Sequence, residues 1–432
     1  MSASITLPSR VTPSSHVTLV MLLAAALALA ACTGSSATAA DASPANLATI
    51  TVEAGALERT DSPVGVELPD AINAWGPIRL VEVRGGEKVP VPAQVQAGTP
   101  PRLWWILAGK TPAGSVRTYE LHRGEPALAQ GVTLNLGPKT LDVAVGGAEI
   151  LRYNHAFVPP PPGVGPEFIR SGYIHPVFSP SGMLITEDAP ADHLHHKGIW
   201  MPWTHTEFDG HPVDFWNLGA KQGTVQFAGF GAIESGPIYG RFEARHEFLD
   251  LTQGPAGKKA LDETWDVRLW AAGGRSAGYW VLDLTSAQRC ASASPLELLA
   301  YRYGGIGYRG AKEWKDSAYV VLSSEGKTKK DGHATRARWC AHSGAIDGKW
   351  STVVVMCHPK NDRFPEPMRI WDSGGCFFNF CPIQAESWTF RPGETYTFRY
   401  RFFVHEGQID KDRAEKAWGD FADPPKASIS KA

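Results

Sequence analysis

TYTFRYRFFVHEG, residues 395–407, decides the fold class. Tyr396, Phe398, Tyr400, Phe402 and Val404 alternate with Thr397, Arg399 and Arg401, a period of two that suits a strand with one buried face and is wrong for a helix. The same alternation recurs in ATITVEAG (48–55), IRLVEVRG (78–85), RTYELHRG (117–124), YWVLDLTS (279–286) and STVVVMCH (351–358), each ending at Gly, Pro, Asp or Asn or close to one. With 44 glycines and 33 prolines among 432 residues as punctuation, the chain reads as all-β. One amphipathic helix is expected, in DKDRAEKAWGDFAD (410–423), as a capping element.

Two β units are expected. Residues 47–125 have the size and strand spacing of a small immunoglobulin-like sandwich, and residues 130–422 carry longer, aromatic-rich strands suited to one large β-sandwich. No internal repeat of fixed period is visible.

Ahead of these lies a leader. Arg10 and His16 precede an apolar run, Val17–Ala31, which is short for a transmembrane helix and right for a secretory signal. The run closes on Leu29-Ala30-Ala31-Cys32, the small-small-Cys pattern of a bacterial lipoprotein signal. Residues 1–31 are therefore expected to be removed, Cys32 lipidated, and residues 32–46 to form a tether. Thr33-Gly34-Ser35-Ser36 carries no aspartate of the inner-membrane retention kind, which places the expected anchor in the outer membrane, with the body facing the periplasm or the cell surface. The membrane is a partner through that anchor only.

A formal charge of −2, with acidic and basic residues mixed along the chain, gives no basic stripe for nucleic acid. Cys290, Cys340, Cys357, Cys376 and Cys381 are not spaced as a zinc ribbon or redox pair, so buried thiols or one disulfide are expected.

The chemistry-bearing residues concentrate in DHLHHKGIW, Asp192–Trp200, where three of the chain's 14 histidines fall within four residues. If this segment is a strand, His193 and His195 share one face, and Asp192, Leu194 and His196 the other; a turn would break that parity. Three readings stay open: a divalent metal held by His193, His195 and His211, which is the one cofactor these residues suggest; proton transfer by His196 and His175, with Lys197 favouring an acidic substrate; and a polar network pinning a loop.

Trp200, Trp203, Phe208, Phe215 and Trp216 are interleaved with Asp209, Asp214 and Asn217, the mixture of apolar plates and polar groups that a sugar pocket requires. Trp200 and Trp216 are the expected stacking plates, and Asp214 a hydroxyl acceptor. YRYGGIGYRG (301–310) adds Tyr303 as a second acid/base and Arg309; CHPKNDRFPEP (357–367) adds His358, Asn361 and Arg363; and Glu325 in SSEGK is the most suggestive isolated carboxylate. The site requires the segments 192–217, 301–309 and 358–363 to converge.

DHLHHKGIWMPW, VDFWN, YRYGGIGYRG, SSEGK, RWCAHSGAIDGKWSTVVVMCHPKNDRFP and YRFFVHEGQIDKDRAEKAW, in that order between about 47 and 422, resemble a bacterial family of unknown function labelled "methane oxygenase PmoA-like". A methane oxygenase subunit is an integral membrane protein, so neither that activity nor copper is carried over. The large domain of the family is similar to the β-supersandwich of galactose mutarotases and several polysaccharide lyases. That similarity implies a concave sheet face that receives a sugar, with His196 or His175 as acid and Glu325 as base. The expectation is a carbohydrate-binding envelope protein that acts on its ligand as a lyase, hydrolase or epimerase, the alternative being a non-catalytic glycan-binding lipoprotein.

Overall fold

The computed structural model describes residues 46–69 and 76–431; the leader, including Cys32, lies outside the described residues. Alternation along the strands turns directly into two packed sheets. One sheet has eight antiparallel strands, in the order Gly223–Glu234, Tyr239–Asp250, Lys258–Gly274, Tyr279–Cys290, Tyr396–Glu406, Lys349–Cys357, Trp339–Ile346 and Tyr319–Ser323. The other has nine, running from Arg336–Ala337 through Glu366–Ile370, Phe377–Phe380, Gly307–Arg309, Ile199–Trp200, Tyr173–Val177, Ala148–Asn154 and Thr140–Val145 to Val132–Leu136. A four-stranded sheet built from His211–Val213, Thr206–Phe208, Leu296–Leu298 and Trp388–Phe390 accompanies them.

The inward residues of the two large sheets form one core. Phe242, Trp265, Leu282, Phe402 and Val355 come from the first sheet, and Leu151, Ile174, Ile199, Tyr308 and Phe378 from the second. Fully burying aliphatic and aromatic side chains of this size contributes about 1.5–3 kcal/mol each, which is why the register cannot slip by one residue. The alternation that fills this core also leaves every other side chain on an outer face.

The small sandwich pairs a five-stranded sheet (Lys426–Lys431, Asn46–Glu53, Val116–Arg123, Ile78–Arg84, Glu87–Val91) with a three-stranded one (Arg59–Glu67, Arg102–Thr111, Gln94–Gln96) over its own core of Ile50, Val64, Leu103, Trp105 and Leu121. Its edge strand comes from the far end of the chain: Lys426–Lys431 pairs antiparallel with Asn46–Glu53. Only its weak KASISK alternation announces that strand in sequence. The expected helix is present as Lys411–Ala422, capped by Asp410, whose carboxylate accepts from Arg413 N–H at 3.0 Å. Helix and small sandwich both cover the outer face of the eight-stranded sheet, where Trp104, Ile106, Ala414 and Trp418 pack with Trp270, Trp339 and Phe403.

Cys290, Cys340, Cys357, Cys376 and Cys381 are all free, and all but the half-buried Cys290 are the buried thiols expected. Among the described residues no helix is long and apolar enough to cross a membrane.

One buried carboxyl gives the core a pH signature. Glu366 accepts from Asn361 Nδ2 at 2.7 Å and Tyr400 Oη at 2.9 Å, and burial pushes it up from 4.5 to about 7 despite those two donors. Between these values the unfolded chain releases the proton that the folded chain keeps, so stability falls as pH rises through this window and levels off above it. Relative to Glu366→Gln, the wild type should lose about 3 kcal/mol of unfolding free energy between pH 4.5 and 7.5, measured by urea denaturation. A constant difference across that range would show that Glu366 does not change charge there.

Candidate functional site

The histidine segment is a turn, not a strand. Thr186 bridges to Gly310, the carbonyl of His196 accepts from Ala189 N–H, and the carbonyl of His193 accepts from His196 N–H, both at 2.9 Å. The chain rejoins the nine-stranded sheet at Gly198, where a Cβ would stand 2.5 Å from the Ile174 carbonyl oxygen; only glycine allows that approach. Strand parity is consequently lost. His193 stacks on His196 with ring centroids 4.7 Å apart and an interplanar angle of 14°, while His195 meets both edge-on.

Arg309 ties the turn down. Its Nη2 donates to both carboxylate oxygens of Asp192 at 2.8 and 3.0 Å, and its Nε to Glu187 at 3.2 Å. The guanidinium is 1% exposed and lies over the Trp371 ring, with Gly375 leaving room beside it. Burial raises the Asp192 carboxyl, but Arg309 and His193 outweigh it and hold it below the usual range. Lys197, also 1% exposed, pairs with Asp188 at 2.9 Å above the Tyr173 ring, and Tyr173 Oη donates to Asp188 at 2.7 Å. Lys197 therefore already has its counter-charge, which corrects its expected role as a direct neutraliser of substrate.

Beneath the turn is an aromatic floor of Tyr173, Trp200, Trp216 and Phe377, with Tyr303 and Trp371 at its partly open margin. Trp200 and Trp216 are 0% and 1% exposed, so they form the floor and are not stacking plates; Trp371 presents the accessible ring. Asp214 is fully engaged as a turn former, accepting from Thr204 Oγ1, Asn217 Nδ2 and the N–H groups of Trp216 and Asn217. It holds Trp216 in place and has no oxygen left to offer a sugar.

His196 is 1% exposed, packed against Phe377 at 4.8 Å and 17°; burial first, then His195 and His193, hold its ring far below the usual protonation range. Its ring is enclosed by Phe377, His193 and His195 and has almost no accessible surface, which corrects its expected role as a proton-transfer group in direct reach of a ligand. His195 is lowered to about 4 by burial and then by His193, so it is neutral at physiological pH. His175 donates to or accepts from Thr186 Oγ1 at 3.0 Å and is likewise lowered by burial. Tyr303 Oη accepts from Arg369 Nη2 at 3.2 Å and Trp371 Nε1 at 3.3 Å.

Three other expectations are corrected. His211 bonds to Asp250 at 2.8 Å and Thr252 at 2.9 Å, with no contact to the triple histidine, and among the described residues no group of three or more His, Cys, Asp or Glu side chains is arranged to hold a metal ion. The donor set of His193, His195 and His211 therefore does not assemble. Glu325 is half exposed, paired with Ser324 and Arg338 near helix residue Glu415, and joins none of the histidines. The 358–363 segment also lies apart: Asn361 braces Glu366, Arg363 donates to the carbonyls of Pro382, Glu386 and Ser387, and His358 packs on Phe421. The 192–217 and 301–309 segments do meet, through the Arg309–Asp192 and Trp216–Tyr303 contacts.

Several site residues carried weaker signals. Glu187 and Asp188 stand just before the histidines in TEDAP, and Arg369 and Trp371 lie in MRIWDSGG, the same interleaving of aromatic and charged residues that marked 200–217.

The chain belongs to a family of unknown function, DUF6807, whose profile matches residues 140–419. The methane oxygenase designation does not recur in that match. No curated protein matches the sequence. Among solved structures, the chain is similar to a protein of glycosyl hydrolase family 38 from Enterococcus faecalis, with TM-score 0.42 and 9% identity over 89% of this chain and 47% of the other. An alpha-mannosidase from Enterococcus faecalis gives 0.41 and 8%, over 89% and 46%, and heparan sulfate lyase HepC from Pedobacter heparinus gives 0.32 and 10%, over 67% and 38%. The chain spans about half the length of the first two structures.

Because Arg309 holds two carboxylates with one rigid fork, lysine cannot replace it. Arg309→Lys should lower stability by about 2 kcal/mol in urea unfolding, by leaving Glu187 or Asp192 without a donor. A change under about 0.5 kcal/mol would mean the turn is held by its backbone bonds alone.

Proposed function

We propose that this DUF6807 protein binds a carbohydrate on the outer face of the nine-stranded sheet and acts on it by proton transfer. The observation that carries the reading is a set of buried polar atoms lacking partners among the described residues: His196 Nδ1, Trp200 Nε1, Arg309 Nη1 and Arg369 Nε. Leaving such atoms unpaired costs about 1–3 kcal/mol each, and these four, set about the aromatic floor with Trp371 and Tyr303 at its margin, suit a ligand rich in oxygen acceptors with an apolar ring face. Trp371 is the proposed stacking plate. His195 is the proposed base, deprotonated at neutral pH, and Tyr303 the proposed acid, its oxygen already accepting two N–H groups so that its own proton can point toward the ligand. His193 and His196 orient His195. Proton transfer at a ring carbon or a glycosidic oxygen is common to lyase, hydrolase and epimerase chemistry.

We further propose that the body is held in the envelope by a lipid on Cys32, on the strength of the apolar run that ends in Leu29-Ala30-Ala31-Cys32. The large sandwich is proposed to be of the galactose-mutarotase kind. A second reading, a glycan-binding lipoprotein without turnover, draws on the ion pairing that already engages Lys197 and Asp192.

A panel of neutral and acidic oligosaccharides separates the two. Trp371→Ala should weaken binding at least tenfold, about 1.4 kcal/mol, by calorimetry. His195→Ala should leave the Kd within about threefold and abolish turnover, and Tyr303→Phe should lower kcat. Activity should fall only as pH drops through about 4, where His195 gains its proton, not near 6.5. No turnover of any oligosaccharide by the wild type would leave the binding protein as the answer, unchanged turnover in both variants would remove His195 and Tyr303 as base and acid, and unchanged affinity in Trp371→Ala would remove the site itself.

A further inference from the structure

The outer face of the eight-stranded sheet carries a second built cavity, which shares no residue with the histidine site. Its floor is set by strand register: Asp266 pairs with Thr285 and Thr285 with Arg399 in one row, and Arg268 with Asp283 and Asp283 with Arg401 in the next. The small sandwich contributes one wall through Trp104, the end of the C-terminal helix another through Phe421, and the loop after Lys349–Cys357 a third through His358. The space, open to solvent on one side, measures about 280 Å³. Small-molecule sites begin at about 300 Å³, so the space suits a single sugar-sized unit.

Most of the charge around the cavity is neutralised within the chain. Asp283 takes two hydrogen bonds from Arg401, at 2.6 and 2.8 Å, and a third from Trp270 Nε1 at 2.7 Å. Asp266 is engaged by Arg241. Asp420 is engaged by Arg59 and Ser62. Arg268 lies against Trp104, Tyr239 and Trp270 and donates to Gln96.

What remains among the described residues is donors. Arg399 has no carboxylate partner and only one side-chain bond, to the Thr397 carbonyl at 3.5 Å. Thr285 Oγ1 has none. His358 Nδ1 accepts from Lys360 N–H at 3.0 Å, and this requires the neutral ring to carry its proton on Nε2, leaving a third donor. Burial, followed by Arg399, lowers His358 to about 4, which keeps that tautomer at neutral pH. Beside these donors stand two indoles, Trp104 and Trp270, 5.3 Å apart.

We propose that this cavity binds a hexuronate unit, its carboxylate on Arg399, its hydroxyls on Thr285 and His358, and its apolar ring face toward Trp104. Arg268 also lacks a carboxylate partner but is held against three aromatic rings and Gln96, so Arg399 is the cation best placed to meet a single carboxylate flanked by hydroxyls, whereas a dianionic phosphate would face the Asp283 and Asp266 carboxylates as well.

The test uses the full-length protein with glucuronate, glucose and acetate as probes, read by calorimetry or saturation-transfer NMR. Glucuronate should bind saturably and at least tenfold more tightly than either glucose or acetate. Arg399→Gln should weaken glucuronate at least tenfold while leaving glucose unchanged, Thr285→Val should weaken it about threefold or more, and Trp371→Ala, in the histidine site, should have no effect. Acetate binding as tightly as glucuronate would reduce the site to a simple anion pocket and overturn the proposal. So would the absence of saturable glucuronate binding, or its loss in Trp371→Ala with Arg399→Gln intact. Should Arg399→Gln fail to fold, Thr285→Val, which alters no charge, decides: unchanged glucuronate affinity in it overturns the assignment.

Discussion

A strand in a two-sheet sandwich has only two faces, and once one is given to the core the other is committed to an outer surface. This constraint organises the whole molecule. Tyr396, Phe398, Tyr400 and Phe402 line the core of the large sandwich, so Arg399 and Arg401 between them must stand on the outer face. Ile174, Ile199, Tyr308 and Phe378 do the same for the nine-stranded sheet and thereby send Tyr173, Trp200, Arg309 and Phe377 outward. Both proposed sites are therefore consequences of core register, and a slip of one residue in either sheet would bury the functional groups and expose the core.

The two outer faces handle this constraint differently. On the nine-stranded sheet, outward tryptophans and a phenylalanine are too apolar to remain uncovered, and the turn at 186–198 folds over them, bringing the histidines along. The turn in turn needs an anchor, and Arg309 supplies it from the strand itself. On the eight-stranded sheet the outward apolar residues at one side, such as Trp339 and Phe403, are covered by the helix and the small sandwich. The charged remainder, Asp266 to Arg401, is left at the base of a cavity whose walls those two elements provide. The return of Lys426–Lys431 to the edge of the small sandwich closes the chain around this arrangement, immediately after the helix that forms one wall.

Legibility in the sequence follows the range of the interactions. Period-two strands such as 395–407 and 279–286 are local patterns and were readable, as was the helix at 411–422 with Asp410 ahead of it. The histidine cluster was readable as a concentration of chemistry-bearing side chains, but its geometry was not: Pro190, Gly198 and the long-range pairing with Arg309 make it a turn, in which His193 stacks on His196, the residue a strand would send to the opposite face. Which aromatic is accessible was also illegible, because the burial of Trp200 and the openness of Trp371 depend on strands far apart in the chain. His358 shows the same limit from the other side. Its loop looked functional, and the structure separates it from the histidines and sets it against a helix that begins about fifty residues later.

Charge neutralisation is what distinguishes working groups from structural ones across both faces. Asp214, Asp283 and Asp420 look like binding residues by type, yet each is engaged by donors inside the chain, and Lys197 already has the Asp188 carboxylate as its counter-charge. Arg399, the Nε2 of His358, Nη1 of Arg309 and Nε1 of Trp200 have no such partner among the described residues, although two of them are fully buried. Arg309 Nη1 and Trp200 Nε1, being buried, forfeit the water they would have kept unfolded, and the fold gains nothing from them in that state. On both faces donors with spare capacity stand beside an indole ring, which is the physical reason to look for ligands that are rich in oxygen and carry one apolar face.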